Sequence, residues 1–244
     1  MSVYVFDLDG TLLDSMEVWE HLGEVYLRSL GKTPERNLSE KVKHMSWDGF
    51  TAYLRKTYYI CKTQDMIARE LEDMMKLFYH KAAQAKKGAV EYVKYLVNRG
   101  DTLFATSDTT RENTLSALER LGILDDFQGV YTVENMGKKT SRNFYIRLSL
   151  HLHLEPGEMI VWEDSYRAAR AAKEAGCRVY AVEEAAEQNR LGMINLADRY
   201  VKDFESALQM QRWENGELPL SASESYREAP GLCGETEARK KRNS

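Results

Sequence analysis

The chain begins with an apolar run, Val3-Tyr-Val-Phe6, that stops on Asp7-Leu8-Asp9-Gly10. Consecutive β-branched and aromatic residues without polar alternation read as a strand covered on both faces, the kind found inside parallel sheets. A carboxylate at the edge of an apolar core costs free energy unless a partner or a metal offsets it, and here there are two. Residues two apart on a strand face the same side, so Asp7 and Asp9 start as neighbours, and Gly10 allows a sharp turn behind them. Open parallel sheets bind their ligands at the carboxyl ends of the strands, so this ending marks where chemistry would sit.

Short apolar runs recur at Thr102–Ala105, Val130–Val133, Met159–Trp162 and Arg178–Val182. They alternate with helical patterns such as Val90–Val97 and the alanine-rich segment ending at Gly176. This alternation predicts an α/β fold with a Rossmann-like parallel sheet and helices on both faces. Between Ser15 and about Ala85 no strand pattern appears. Helical segments Val18–Leu30, Leu38–Tyr59 and Gln64–Ala83 are separated by Gly31-Lys-Thr-Pro34 and Cys61-Lys-Thr63. An all-helical cap, residues 15–85, is thus expected as an insertion into a core of residues 1–14 and 86–213. Residues 214–244 lose periodicity and are expected to form a disordered tail, with Arg239-Lys-Lys-Arg242 as a solvated cluster.

A formal net charge of -4 gives no reason to expect nucleic acid or an anionic membrane as partner. The three cysteines, Cys61, Cys177 and Cys233, form no CxxC pair and read as reduced thiols. No apolar stretch approaches the roughly 20 residues that span a bilayer, and the N-terminus lacks a signal-peptide pattern. A cytoplasmic location is the expectation.

The residues just after each apolar run are chemically selective: Asp7 and Asp9, then Thr106 and Ser107, then Glu163 and Asp164, with Lys138 and Lys139 beyond the third run. Convergent carboxylates without imidazole or thiolate suit a hard cation such as Mg²⁺, which would offset repulsion among Asp7, Asp9 and Asp164. Such an ion beside a lysine and a hydroxyl suits a phosphate. One carboxylate can then act as nucleophile through an aspartyl-phosphate, and a second, two residues on, as general acid/base.

Asp7-Leu-Asp9-Gly-Thr-Leu-Leu-Asp-Ser15 resembles the first motif of the haloacid dehalogenase superfamily of phosphatases and phosphomutases. Thr106 resembles its second motif, Lys139 its third, and Trp162-Glu-Asp-Ser165 its fourth. The insert after the first motif resembles the cap of the β-phosphoglucomutase and phosphoglycolate phosphatase branch. The third motif departs from the family pattern: both prolines and an aspartate are absent, with Arg142 and Asn143 near their places, and Lys138 is the alternative lysine. The resemblance implies Asp7 as nucleophile and metal ligand, and Asp9 as general acid/base that also lends its backbone carbonyl to the metal. It also implies Thr106 and Lys139 as phosphoryl-binding groups, Asp164 as a metal ligand and Glu163 as its support. The substrate implied is a small phosphorylated metabolite of the sugar phosphate kind.

Other residues keep two readings. Ser107 and Asp108 stand beside Thr106 and either contact substrate or serve the turn, Asp108 as a helix N-cap. Trp19 occupies the position of a histidine in the β-phosphoglucomutases, which argues against a mutase, and it either packs or lines a pocket. The basic and aromatic stretch Glu40–Trp47 either meets an anionic substrate or forms a solvated helix face. The remaining functional alternatives are a phosphomutase and a non-catalytic binding or regulatory module of the same fold.

Overall fold

The computed structural model describes residues 1–43 and 45–217. Its sheet comprises β1 (Val3–Asp7), β2 (Thr102–Ser107), β3 (Gly129–Thr132), β4 (Met159–Glu163), β5 (Arg178–Val182) and β6 (Arg199–Val201). All neighbours are parallel, in the order β3-β2-β1-β4-β5-β6. The chain moves outward from β1 to β3, then crosses back to β4 on the other side of β1. That reversal creates a crevice at the carboxyl ends of β1 and β4, where ligands bind in open α/β sheets.

Alternate side chains along the strands feed two apolar layers. Tyr4 and Phe6 enter one with Trp162, Tyr92 and Phe204, while Val5 enters the other with Val161, Val179, Phe144 and Leu148. The Phe6 and Trp162 rings lie 6.2 Å apart and within 8° of parallel. Each such buried aromatic or aliphatic side chain contributes roughly 1.5–3 kcal/mol, which anchors the strand that carries Asp7.

Helices α1 (Met16–Ser29), α2 (Leu38–Val42), α3 (Trp47–Thr57) and α4 (Gln64–Lys81) fill the segment between β1 and α5 (Ala89–Asn98). Where this insert leaves and rejoins the core, the two chain segments pair. Asp14 donates its amide to the Gln84 carbonyl at 3.0 Å, and Lys86 donates to that of Leu12 at 2.8 Å. The remaining helices are α6 (Arg111–Arg120), α7 (Val133–Met136), α8 (Arg142–Leu152), α9 (Tyr166–Ala175), α10 (Arg190–Leu196) and α11 (Phe204–Glu214). Helix α4 rests on α6, where Lys76 meets Glu112 at 2.5 Å. Among the described residues no helix is long and apolar enough to cross a membrane.

Several details differ from the sequence expectations. Leu38–Tyr59 is not one helix: α2 and α3 are separate, and Ser46 starts α3 by accepting from the Gly49 amide at 3.1 Å. A serine that satisfies a free amide competes with helix continuation. Val133 opens α7 instead of closing the third strand, because Thr132 and Asn135 form a reciprocal capping box there. The strand β6 was not foreseen. The expected tail begins late: Glu214 closes α11, and Glu217 and Asn215 bond the Tyr95 hydroxyl, each at 2.7 Å. The rest of that expected tail, 218–244, lies outside the described residues.

Candidate active site

Register alone assembles the site. Asp7 pairs with Thr106 across β1 and β2, and Phe6 with Trp162 across β1 and β4, so the acidic residues that end β1 and β4 emerge side by side. Asp7, Glu163 and Asp164 each offer a carboxylate oxygen, all within 4.8 Å of one another. Their residues are only 3%, 0% and 6% exposed, so water cannot offset their mutual repulsion. Lys139 does so in part. Its ammonium contacts Asp7 Oδ1 and donates to Glu163 Oε1 at 2.8 Å. Burial opposes the charge on Lys139, yet Asp7 and Glu163 override this and hold its pKa well above the ordinary value. Lys138, by contrast, is exposed.

Thr11 closes the cluster from the turn. Its hydroxyl lies 2.9 Å from Asp7 Oδ2 and 3.0 Å from Asp164 Oδ1, and its single proton serves one of them at a time. Gly10 makes that approach feasible: its φ is +79°, and a Cβ there would fall 2.2 Å from Asp164 Oδ2. Asp164 is pushed well above the carboxylate range by burial, then by Asp7 and Glu163. Glu163 is raised too, chiefly by burial, although Lys139 pulls the other way. This crowd of oxygen ligands, two positive charges short of neutral when all three carboxylates are ionised, fits a hard divalent cation held by Asp7 and Asp164 with Glu163 beside them.

Asp9 has a different environment. Its carboxylate is not one of the trio, and its Oδ1 accepts from the Ser15 hydroxyl at 2.8 Å, the Tyr79 hydroxyl at 2.8 Å and Trp19 Nε1 at 3.4 Å. Burial first, and the Asp7 charge second, raise its pKa from 3.8 to about 6, against the pull of those three donors. Tyr79 comes from the end of α4, so the insert reaches the first strand's second carboxylate directly.

Above these groups lies a cavity of about 500 Å³ between the helical insert and the sheet edge. Asp7, Asp9, Lys139, Glu163, Asp164, Asp108 and Trp19 all line it. Thr106 and Ser107 are fully buried and do not. The Thr106 hydroxyl donates to the Phe6 carbonyl at 3.3 Å, and that of Ser107 accepts from the Thr109 amide at 3.0 Å. Their hydroxyls are thus engaged beneath the cavity floor, whereas Asp108 and Thr109 reach its surface. In the Glu40–Trp47 stretch, Lys41 pairs with Glu35, away from the cavity, and Lys43 pairs with Glu20 at 3.4 Å.

Sequence reasoning did not single out Thr11 or Tyr79. Thr11 carried a signal, a hydroxyl one turn-residue past Gly10 in a segment that must fold back on the fourth strand. Tyr79 carried none, since its spacing in α4 is that of a core residue and its ring is indeed buried.

The model of the haloacid dehalogenase-like hydrolases matches residues 4–182, from the first strand through the fifth. The chain belongs to this family. A phosphorylated carbohydrates phosphatase of Thermotoga maritima is 22% identical over 184 residues, covering 75% of this chain and 85% of its own. The β-phosphoglucomutase of Bacillus subtilis is 22% identical over 225 residues, covering 88% and 96%. Among solved structures, CbbY from Rhodobacter sphaeroides in complex with phosphate superposes with a TM-score of 0.67 at 20% identity, covering 84% of this chain and 95% of its own. At these identities the structural likeness speaks for the fold.

Proposed function

We propose that this haloacid dehalogenase-like hydrolase is a cytoplasmic, Mg²⁺-dependent phosphoric monoester hydrolase acting on a small phosphorylated metabolite of the sugar phosphate kind. The observation that carries the reading is the division of labour between two carboxylates two residues apart. Asp7 sits among cation-type donors and a lysine, while Asp9 sits apart with a pKa raised to about 6. The names of the phosphatase and mutase relatives support phosphorylated sugars as the substrate class.

Substrate enters the cavity between the helical insert and the sheet edge. An Asp7 oxygen attacks phosphorus, the bond from phosphorus to the alcohol oxygen breaks, and Asp9 gives its proton to the departing oxygen. Water then attacks the aspartyl-phosphate, Asp9 takes a proton from it, and phosphate leaves with Asp7 restored. Lys139 neutralises the transferring group and holds Asp7. Asp7, Asp164 and Glu163 would hold the divalent cation, which when bound supplies charge neutralisation at the phosphoryl oxygens. Trp19 lines the leaving-group side and donates to Asp9, and Asp108 holds the Lys139 loop through its amide at 3.3 Å. Thr106 and Ser107 shape the floor.

The test is phosphate release from a panel of phosphorylated metabolites, with EDTA and Asp7→Asn as controls. Turnover that disappears under either control supports the reading. Turnover that survives Asp7→Asn contradicts it.

A further inference from the structure

The cavity wall that would face the alcohol half of a substrate has a distinctive chemistry. Among the described residues its cations are Lys139 and Lys43. Lys139 is committed to Asp7 and Glu163 on the floor. Lys43 is committed as well: its ammonium pairs with Glu20 at 3.4 Å and donates to the Ala186 carbonyl at 3.3 Å, joining the insert to the loop after β5. The remaining charged side chains of that wall are Glu20, Glu40 and Glu187. The cavity is also lined by the apolar side chains of Trp19, Leu22, Trp47 and Phe50, with the Trp47 and Phe50 rings 5.8 Å apart.

Building on the phosphatase reading above, we infer that the alcohol half of the substrate carries no second anionic group and presents a flat apolar face to Trp47 and Phe50. A second phosphate or a carboxylate would meet Glu40 and Glu187, with Glu20 already paired to Lys43, in a partly desolvated space with no uncommitted cation among the described residues. Like-charge juxtaposition of that kind opposes binding. A pyranose or another uncharged ring has both what the wall accepts, an apolar face, and hydroxyls for Ser39, Thr140 and Ser165, which also line the cavity. The same wall disfavours a mutase. Returning the phosphoryl group to another oxygen of a sugar monophosphate passes through a bisphosphate, whose non-reacting phosphate would have to rest against these carboxylates.

The experiment compares kcat/KM for a hexose monophosphate, the corresponding hexose bisphosphate and phosphoglycolate, at fixed free Mg²⁺. Affinity of the same three compounds for the Asp7→Asn variant is measured by calorimetry, so the answer does not depend on turnover. The monophosphate is expected to exceed the other two by about a hundredfold. In Glu40→Lys, at an exposed position on the wall, the gap between monophosphate and bisphosphate should shrink by about tenfold, through tighter binding of the bisphosphate. A bisphosphate or phosphoglycolate that matches the monophosphate in kcat/KM or affinity overturns the inference. So does a Glu40→Lys variant that leaves the gap unchanged. Loss of turnover on every ester, with the order of affinities intact, overturns the phosphatase reading instead.

Discussion

Replacing Asp9 by asparagine should remove catalysis and stabilise the fold at the same time. The carboxyl of Asp9 is moved from 3.8 to about 6 by burial and by Asp7. That displacement means the ionised form is disfavoured in the folded chain by about 3 kcal/mol. The residue is partly open to the cavity, and solvent screening trims the effect to about 2 kcal/mol. Its sign follows from the direction. A raised carboxyl favours the folded state below its unfolded pKa, and that advantage is lost as pH rises through about 6. Asparagine keeps an oxygen for the Ser15, Tyr79 and Trp19 donors and never ionises. In metal-free buffer at about pH 8, Asp9→Asn should therefore exceed the wild type by about 2 kcal/mol, or about 4–8 °C in Tm for a chain of this size. Near pH 4 the two should converge. Urea titrations of both proteins across that range, with EDTA present, give the comparison directly. An Asp9→Asn protein that is less stable at pH 8, or whose advantage is the same at every pH, would refute the electrostatic account of Asp9.

Three further perturbations probe neighbouring parts of the site. Thr11→Val removes the hydroxyl shared by Asp7 and Asp164 and should cost about 1–3 kcal/mol in denaturation midpoint analysis, with weaker Mg²⁺ binding by calorimetry. Gly10→Ala forces a Cβ into Asp164 at a φ of +79°, and the expected outcome is a drop in Tm together with loss of Mg²⁺ binding. Tyr79→Phe keeps the ring but withdraws one donor from Asp9. Its kcat/KM should fall about tenfold for alkyl phosphates, which need a proton on the leaving oxygen, and stay near wild type for p-nitrophenyl phosphate, which does not.

Much of this architecture was legible because a few local patterns have little freedom. An unbroken apolar run ending in Asp7-x-Asp9-Gly10 has few places to go other than the middle of a parallel sheet, and β1 is its middle. The switch to 3.6-residue periodicity after Ser15 marked the helical insert for the same reason. What escaped was decided by tertiary context. Strand β6 is three residues long, two of them partly exposed, and exists because β5 offers an edge. The break between α2 and α3 depends on Ser46 capping α3, a choice that hydrophobic spacing does not register. The preference for Lys139 over Lys138 rests on the family resemblance, and which of them is buried against Asp7 follows from how α7 and α8 fold the loop. Tyr79 meets Asp9 across 70 residues of chain, and a buried tyrosine in a helix looks the same whether its hydroxyl is idle or bonded.

The central claim is that Asp7 becomes phosphorylated during turnover. It is tested most directly by acid-quenching the Mg²⁺-loaded enzyme with a good substrate and locating the added phosphoryl mass by peptide mass spectrometry. The account predicts a phosphoryl group on the peptide carrying Asp7, absent in EDTA and in Asp7→Asn. Phosphate release at full rate with no phosphoryl group on that peptide would contradict it.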